Sequence, residues 1–271
     1  MPVKLGGSAG GAFPQLTITK SQTWVPPQDG NICIHVIGGG GGGAGNENRS
    51  GGAGGYCKKN SLAVTTAGSF TITVGARGYR GIGDTPGSNG GNSQVSGTGL
   101  STLTANGGTM GTGYAGNPAY QTGAGGSASG GNVNNTGGGG RSDGYPQGGG
   151  AVGIYTTGQS ATTAGGGQTD AAITQAGLAN SAFGEICGGR AGTNSYSSDV
   201  DNNAGQNPSV DAGDLSGGGG NGVYVAVGTV HGGSATIGGG GGANTAHASA
   251  ATTSFAGFGG SGLVLIQYLP W

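Results

Sequence analysis

Charge is scarce in this chain. Only 7 % of its 271 residues are Asp, Glu, Lys or Arg, and nine basic side chains almost cancel ten acidic ones. About a quarter is usual for a globular domain. A nucleic-acid binder needs a basic stripe that displaces counterions from phosphates, whereas the one adjacent basic pair here is Lys58 with Lys59. Long apolar runs are also missing. The longest, residues 223–227 and 263–266, are strand-sized and far below the roughly 20 residues of a membrane-spanning helix. Membrane insertion is not expected, and an N-terminus without a signal-peptide apolar stretch points to synthesis and assembly in the cytoplasm. Cysteine is limited to Cys33, Cys57 and Cys187, an odd number at no metal or redox spacing. Free thiols are expected, with Cys33 in the core. Helical periodicity is absent too, residues 170–180 with Ile173 and Leu178 being the nearest approach to it.

Glycine is what abounds, at 73 residues, with nine prolines. That balance excludes a conventional helical or α/β enzyme. Collagen needs glycine at every third position, but here it clusters in blocks at 38–43, 137–140, 217–220 and 238–242. Disorder is the other default for such a composition, and it is opposed by strand patterns near both ends. Leu16 and Ile18 alternate with threonines, and Ile32, Ile34 and Val36 alternate with Cys33, His35 and Ile37. These read as two strands joined by a turn at residues 27–30. Phe70, Ile72 and Val74 share one face of a third strand, with Thr71 and Thr73 on the other. Residues 263–268 are apolar on both faces and read as a central strand, while 100–105 and 223–227 are weaker candidates.

The fold expected is therefore mainly β and irregular. A small β-sandwich forms from strands near both termini, about residues 15–75 and 257–269, and a glycine-rich insertion spans about 76–256. Residues 1–14 would be a tether, and 15–271 a single domain. Ordering a residue costs about 1–2 kcal/mol, and glycine lies at the high end. Side-chain burial cannot offset this where the interleaved residues are Ser, Thr, Ala and Asn, so backbone hydrogen bonds must. Polyglycine-II rods would supply them: extended left-handed helices with three residues per turn and about 3.1 Å rise, whose backbone groups point outward to neighbouring rods.

Several segments carry a resemblance when read together. They are Thr23-Trp24-Val25-Pro26-Pro27, Ile34-His35-Val36-Ile37 with the glycines 38–43, Gly51-Gly52-Ala53-Gly54-Gly55-Tyr56, residues 70–75, Thr104-Ala105-Asn106-Gly107-Gly108 and residues 257–266. In this order they resemble the glycine-rich domain of bacteriophage tail-fibre adhesins, over about residues 16–268. The resemblance implies a non-enzymatic phage tail adhesin in the virion, recognising a host surface protein or glycan through loops on a rigid polyglycine scaffold. Other phage tail proteins would be partners, and a homotrimer would suit a fibre. The alternative is a structural tail, baseplate or capsid decoration protein that contacts other virion proteins. A third reading is ice binding by flat threonine arrays.

The aromatic residues of the insertion, Tyr79, Tyr114, Tyr120, Tyr145, Tyr155, Phe183 and Tyr196, sit among turn-forming residues. Tyr offers rigid contact area with a polar tip, and surrounding Ser, Gly and Asn offer adaptable hydrogen bonds. All but Tyr79 form the expected receptor-binding set; the bland counterpart is that they cover bundle edges. Asp199, Asp201 and Asn203 have the alternate spacing of a calcium loop. However, Ala204 stands where the turn wants glycine and Val210 where a bidentate Glu is needed, so no metal is expected. Asp211 and Asp214 likewise read as turn carboxylates. His35, His231 and His247 lie near no nucleophile elbow or phosphate loop. Neither catalysis nor a cofactor is expected. Trp24 reads as core or edge packing, and Trp271 as a residue that could insert into a neighbouring subunit.

Overall fold

The computed structural model describes residues 15–45, 49–83, 85–112, 122–140, 148–149, 194–196, 222–225, 230–231, 235, 237–240, 244–246 and 254–270. Nine strands occupy the first half: β1 (Gln15–Ile18), β2 (Gln22–Trp24), β3 (Gly30–Ile37), β4 (Tyr56–Val64), β5 (Phe70–Thr73), β6 (Ser93–Gly97), β7 (Leu100–Ala105), β8 (Ala128–Ser129) and β9 (Val133–Asn135). Short strands follow as β10 (Asn194–Tyr196), β11 (Gly222–Val225), β12 (Val230–His231), β13 (Asn244–Ala246) and β14 (Ser254–Phe255), before β15 (Leu263–Tyr268). No α-helix occurs among the described residues, and the mainly β expectation holds.

Two five-stranded sheets dominate, ordered β1-β15-β3-β4-β9 and β2-β5-β6-β7-β8, and every pairing in them is antiparallel. Period-two alternation aims Ile32, Ile34 and Val36 of β3 into the same cluster as Phe70 and Ile72 of β5, Val95 of β6 and Leu103 of β7. That shared cluster holds the sheets together, each large side chain contributing about 1.5–3 kcal/mol by leaving water. Strand β15 lies between β1 and β3 and is buried along its whole length, as a doubly apolar sequence requires. Its opposite face, with Ile37, Tyr56, Leu263 and Leu265, meets Val133 and Ile237 in a second cluster.

The turn expected at 27–30 does not pair β1 with β3. Between them the chain crosses into the other sheet as β2, and β1 and β3 instead flank β15. The physical reason is that β15 is apolar on both faces and must be covered along both edges. Trp24 meanwhile tilts against Phe70 with ring centroids 5.6 Å apart, in the packing role expected for it. Strands β4, β6, β8 to β10 and β12 to β14 were not foreseen, and β6 to β14 come from within the expected insertion. Two small parallel sheets, β10-β11-β13 and β12-β14, complete the described strands. The helix-like segment 170–180 lies outside the described residues.

Beyond the sheets the chain forms a mesh of backbone hydrogen bonds with a period of three. Gly38, Gly41 and Ala44 donate to the carbonyls of Gly55, Gly52 and Arg49; Gly39 and Gly42 donate to Gly91 and Ser88; Gly40 and Gly43 donate to Gly260 and Gly257. Successive amides of one segment thus point to three different neighbours, and every third returns to the same one. Carbonyls follow the same rule: Gly108 and Gly111 donate to Gly39 and Gly42, and Gly78 and Gly81 donate to Gly40 and Gly43. Glycine is obligatory at the centre. A Cβ at Gly40 would run into the carbonyl of Gly239, and one at Gly54 into the carbonyl of Gly38.

Candidate functional site

The mesh begins where the strands stop. Strands β3, β5, β7 and β9 each lead into a glycine segment, and the segments that return feed β4, β6, β8 and β15. These departures and returns therefore share one rim of each sheet. Antiparallel sheets dictate this, since alternate strands end on the same rim.

One segment on this mesh carries chemistry. Gly75, Gly78 and Gly81 repeat every third residue, and all three are buried. With that period, Arg77 and Arg80 share a second face and Tyr79 and Ile82 a third. The amides of Gly262, Gly259 and Ala256 donate to the carbonyls of Gly75, Gly78 and Gly81 at 2.9, 3.0 and 3.1 Å, which fixes the returning segment alongside. Phe255 and Phe258 are themselves three apart, so they face the same ridge. The Arg77 guanidinium carbon lies 4.3 Å from the Phe258 ring centre, and that of Arg80 lies 5.0 Å from Phe258 and 4.6 Å from Phe255. These distances are within the reach of cation–π attraction. Tyr79 meets Phe258 edge-on at 6.3 Å and remains 64 % exposed, and Ile82 is 44 % exposed and bridges to Phe255. The result is a surface ridge of two guanidinium groups laid on aromatic rings.

A second constellation is buried on the outward face of β3. Tyr56 Oη lies 2.8 Å from His35 Nδ1, His35 Nε2 is 3.2 Å from Gln267 Oε1, and Cys33 Sγ is 3.3 Å from the same Nε2. The amide oxygen of Gln267 can only accept, so Nε2 carries the imidazole proton and Nδ1 accepts from the tyrosine hydroxyl. Burial, reinforced by the nearby Lys58 charge, pulls His35 down to about 4 against the Gln267 hydrogen bond. Burial pushes the Cys33 thiol up to about 11, with Lys58 opposing, and Cys57 up to about 12, against a backbone hydrogen bond at Thr104. At neutral pH the pair is a thiol beside a neutral imidazole, the reverse of the thiolate that nucleophilic catalysis uses. Cys33 and Cys57 are free, as expected, and Cys33 is buried as expected; Cys57 is buried as well.

Of the residues singled out in the sequence, Tyr114, Tyr120, Tyr145, Tyr155 and Phe183 lie outside the described residues. So do Asp199, Asp201, Asn203, Asp211, Asp214, His247, Cys187 and Trp271. Tyr196 ends β10, where its backbone pairs with Tyr224 of β11, and His231 lies in β12. Tyr79 is the aromatic residue of that group whose surroundings are described, and it belongs to the ridge. Arg77, Arg80, Phe255 and Phe258 were missed. The signal was present: glycine at 75, 78 and 81 marks a threefold segment, and the residues between must point outward.

Comparison with known families places this architecture. A glycine-rich domain family matches residues 17–269, from within β1 to just past β15. A comparison with curated proteins gave no match. Since the match covers nearly the whole chain, this protein belongs to the glycine-rich domain family.

Proposed function

We propose that this protein is a non-enzymatic bacteriophage tail adhesin whose mesh is a bundle of polyglycine-II rods presenting loops to a host surface receptor. The observation that carries the reading is the period of three in the hydrogen bonds of residues 38–44. A threefold extended helix turns each successive peptide by a third of a revolution, so its amides reach three neighbours in rotation. An ordinary strand sends its amides to two neighbours in one plane.

Function follows from stiffness and from where the connectors fall. A rod tied by its main chain to several others loses little further entropy when something binds at its tip, and repeated copies on a particle add avidity. Tyr114, Tyr120 and Tyr145, which fall in sequence between segments of the mesh, would supply the aromatic contacts where a particle-borne domain meets a cell. The ordered set of segments resembling tail-fibre adhesins supplies the biological setting.

Exchange of the segments between Tyr114 and Tyr196 for those of a relative, in an infectious particle, tests the reading. The expected outcome is a changed host range; an unchanged adsorption spectrum would overturn it. A crystal structure tests the rods separately, with backbone angles near about −75° and +145° expected through residues 38–44. Sheet-like angles there would remove the platform.

A further inference from the structure

We infer that the ridge formed by Arg77, Arg80, Tyr79, Phe255 and Phe258 binds an acidic polysaccharide through sugar carboxylates. This deepens the receptor reading and rests on it, since it names the chemistry of a host surface that the domain would touch.

The first argument is charge. Asp29 is the only Asp or Glu among the described residues, and it accepts the Thr66 amide near the sheets. Asp84, close in sequence to the ridge, lies outside the described residues. The guanidinium carbons of Arg77 and Arg80 sit over phenyl rings, a contact that does not use the N–H fork as a carboxylate would. A planar fork of N–H donors is the geometry that matches a carboxylate.

The second argument is repetition. In a threefold rod, residues three apart are about 9 Å apart along its axis. The ridge therefore offers the same group twice along a straight line: Arg77 then Arg80, and Phe255 then Phe258. A straight, periodic surface fits a straight, periodic polymer. In a uronate polysaccharide, carboxylates on every second sugar recur close to this spacing, and C–H faces are presented to aromatic rings between the charges. Tyr79, exposed and edge-on to Phe258, adds a hydroxyl that bonds to sugar hydroxyls.

The test uses the purified full chain, tetragalacturonate, its methyl ester and poly(glycerol phosphate) in titration calorimetry at low salt. Tetragalacturonate binding is expected, with the ester about tenfold weaker or worse, because a charge-assisted hydrogen bond contributes about that factor. Arg77→Ala with Arg80→Ala should abolish the preference for acid over ester. Both side chains lie on the surface, and a thermal melt matching the unsubstituted protein confirms folding. Phe258→Leu, which removes the ring and keeps an apolar side chain, should weaken the acid and the ester alike. Equal affinity for acid and ester, tighter binding of poly(glycerol phosphate), or no binding would overturn the inference. Self-association lost on the same arginine substitutions would assign the ridge to a second copy and overturn it as well. These outcomes leave the host-range exchange untouched, so the two readings fail separately.

Discussion

The side-chain oxygen of Asn92 accepts the backbone N–H of Gly107 at 2.8 Å. It stands where the mesh elsewhere places a main-chain carbonyl. Three residues earlier, Asn89 takes the amide of Met110 at the same distance, so the period of three extends to side chains. Serine and threonine act in the same way: Ser88 Oγ accepts the Tyr79 amide at 2.7 Å and Thr85 Oγ1 accepts the Ile82 amide at 3.0 Å. These polar residues are part of the lattice and not only turn formers.

A first prediction follows. Asn89→Ala and Asn92→Ala should each lower unfolding free energy by about 1 kcal/mol, the net value of one hydrogen bond near the surface. Because the two bonds join the same pair of segments and support each other, the double variant should lose no more than the sum of the single losses, as denaturant titration would read. A loss near zero for both would mean that water replaces the side chains freely.

Glycine substitutions should separate two costs. At Gly40 and Gly54 a Cβ meets a neighbouring carbonyl, and the segment must move away from its partners. Gly40→Ala or Gly54→Ala should cost roughly 3 kcal/mol or prevent folding. Gly99 has φ +71 and nothing within 4 Å of a Cβ, so Gly99→Ala should cost only about 1–2 kcal/mol, the strain of a left-handed residue. Equal losses at Gly40 and Gly99 would show that steric exclusion does not hold the mesh together.

The frame was largely legible in the sequence. Alternation in Ile32-Cys33-Ile34-His35-Val36 and in Phe70-Thr71-Ile72 placed β3 and β5, and apolarity on both faces placed β15 inside its sheet. Strand β4 was not legible, because Lys58, Lys59, Asn60 and Ser61 interrupt its pattern where the strand nears the surface. The ridge escaped notice for a different reason. Period-two and period-3.6 templates are blind to a chain whose period is three, and average composition dilutes two arginines into a neutral total. With a period of three, buried Gly75, Gly78 and Gly81 place Arg77 and Arg80 together on another face.

Thiol accessibility gives a further prediction. Cys33 and Cys57 are buried and their thiols are held far above the ordinary range, so neither should react in the folded protein. In a Cys187→Ser background, a disulfide reagent at pH 8 should label no thiol until denaturant is added, after which both react. Rapid labelling of the native protein would mean that the outward face of β3 around Cys33, or the cluster between the sheets around Cys57, opens readily.

The last prediction concerns acid. His35 is held neutral in the fold, pulled down to about 4 by burial and by Lys58, while in the unfolded chain it titrates near 6.5. Between these values the unfolded state binds the extra proton and the folded state does not, so stability falls as pH drops from about 6.5 to about 4. Below that window both states are protonated and this contribution levels off. Its full size is on the order of 3 kcal/mol. Cys33, pushed up to about 11 by burial, stays neutral throughout this range and cannot supply the effect. The Lys58 charge opposes an imidazolium. His35→Gln removes the titrating group and keeps a side chain that can meet Tyr56 or Gln267. Its melting temperature should therefore vary less with pH between 6.5 and 4 than that of the unsubstituted protein. Identical pH profiles for the two proteins would mean that His35 is not held neutral by its surroundings.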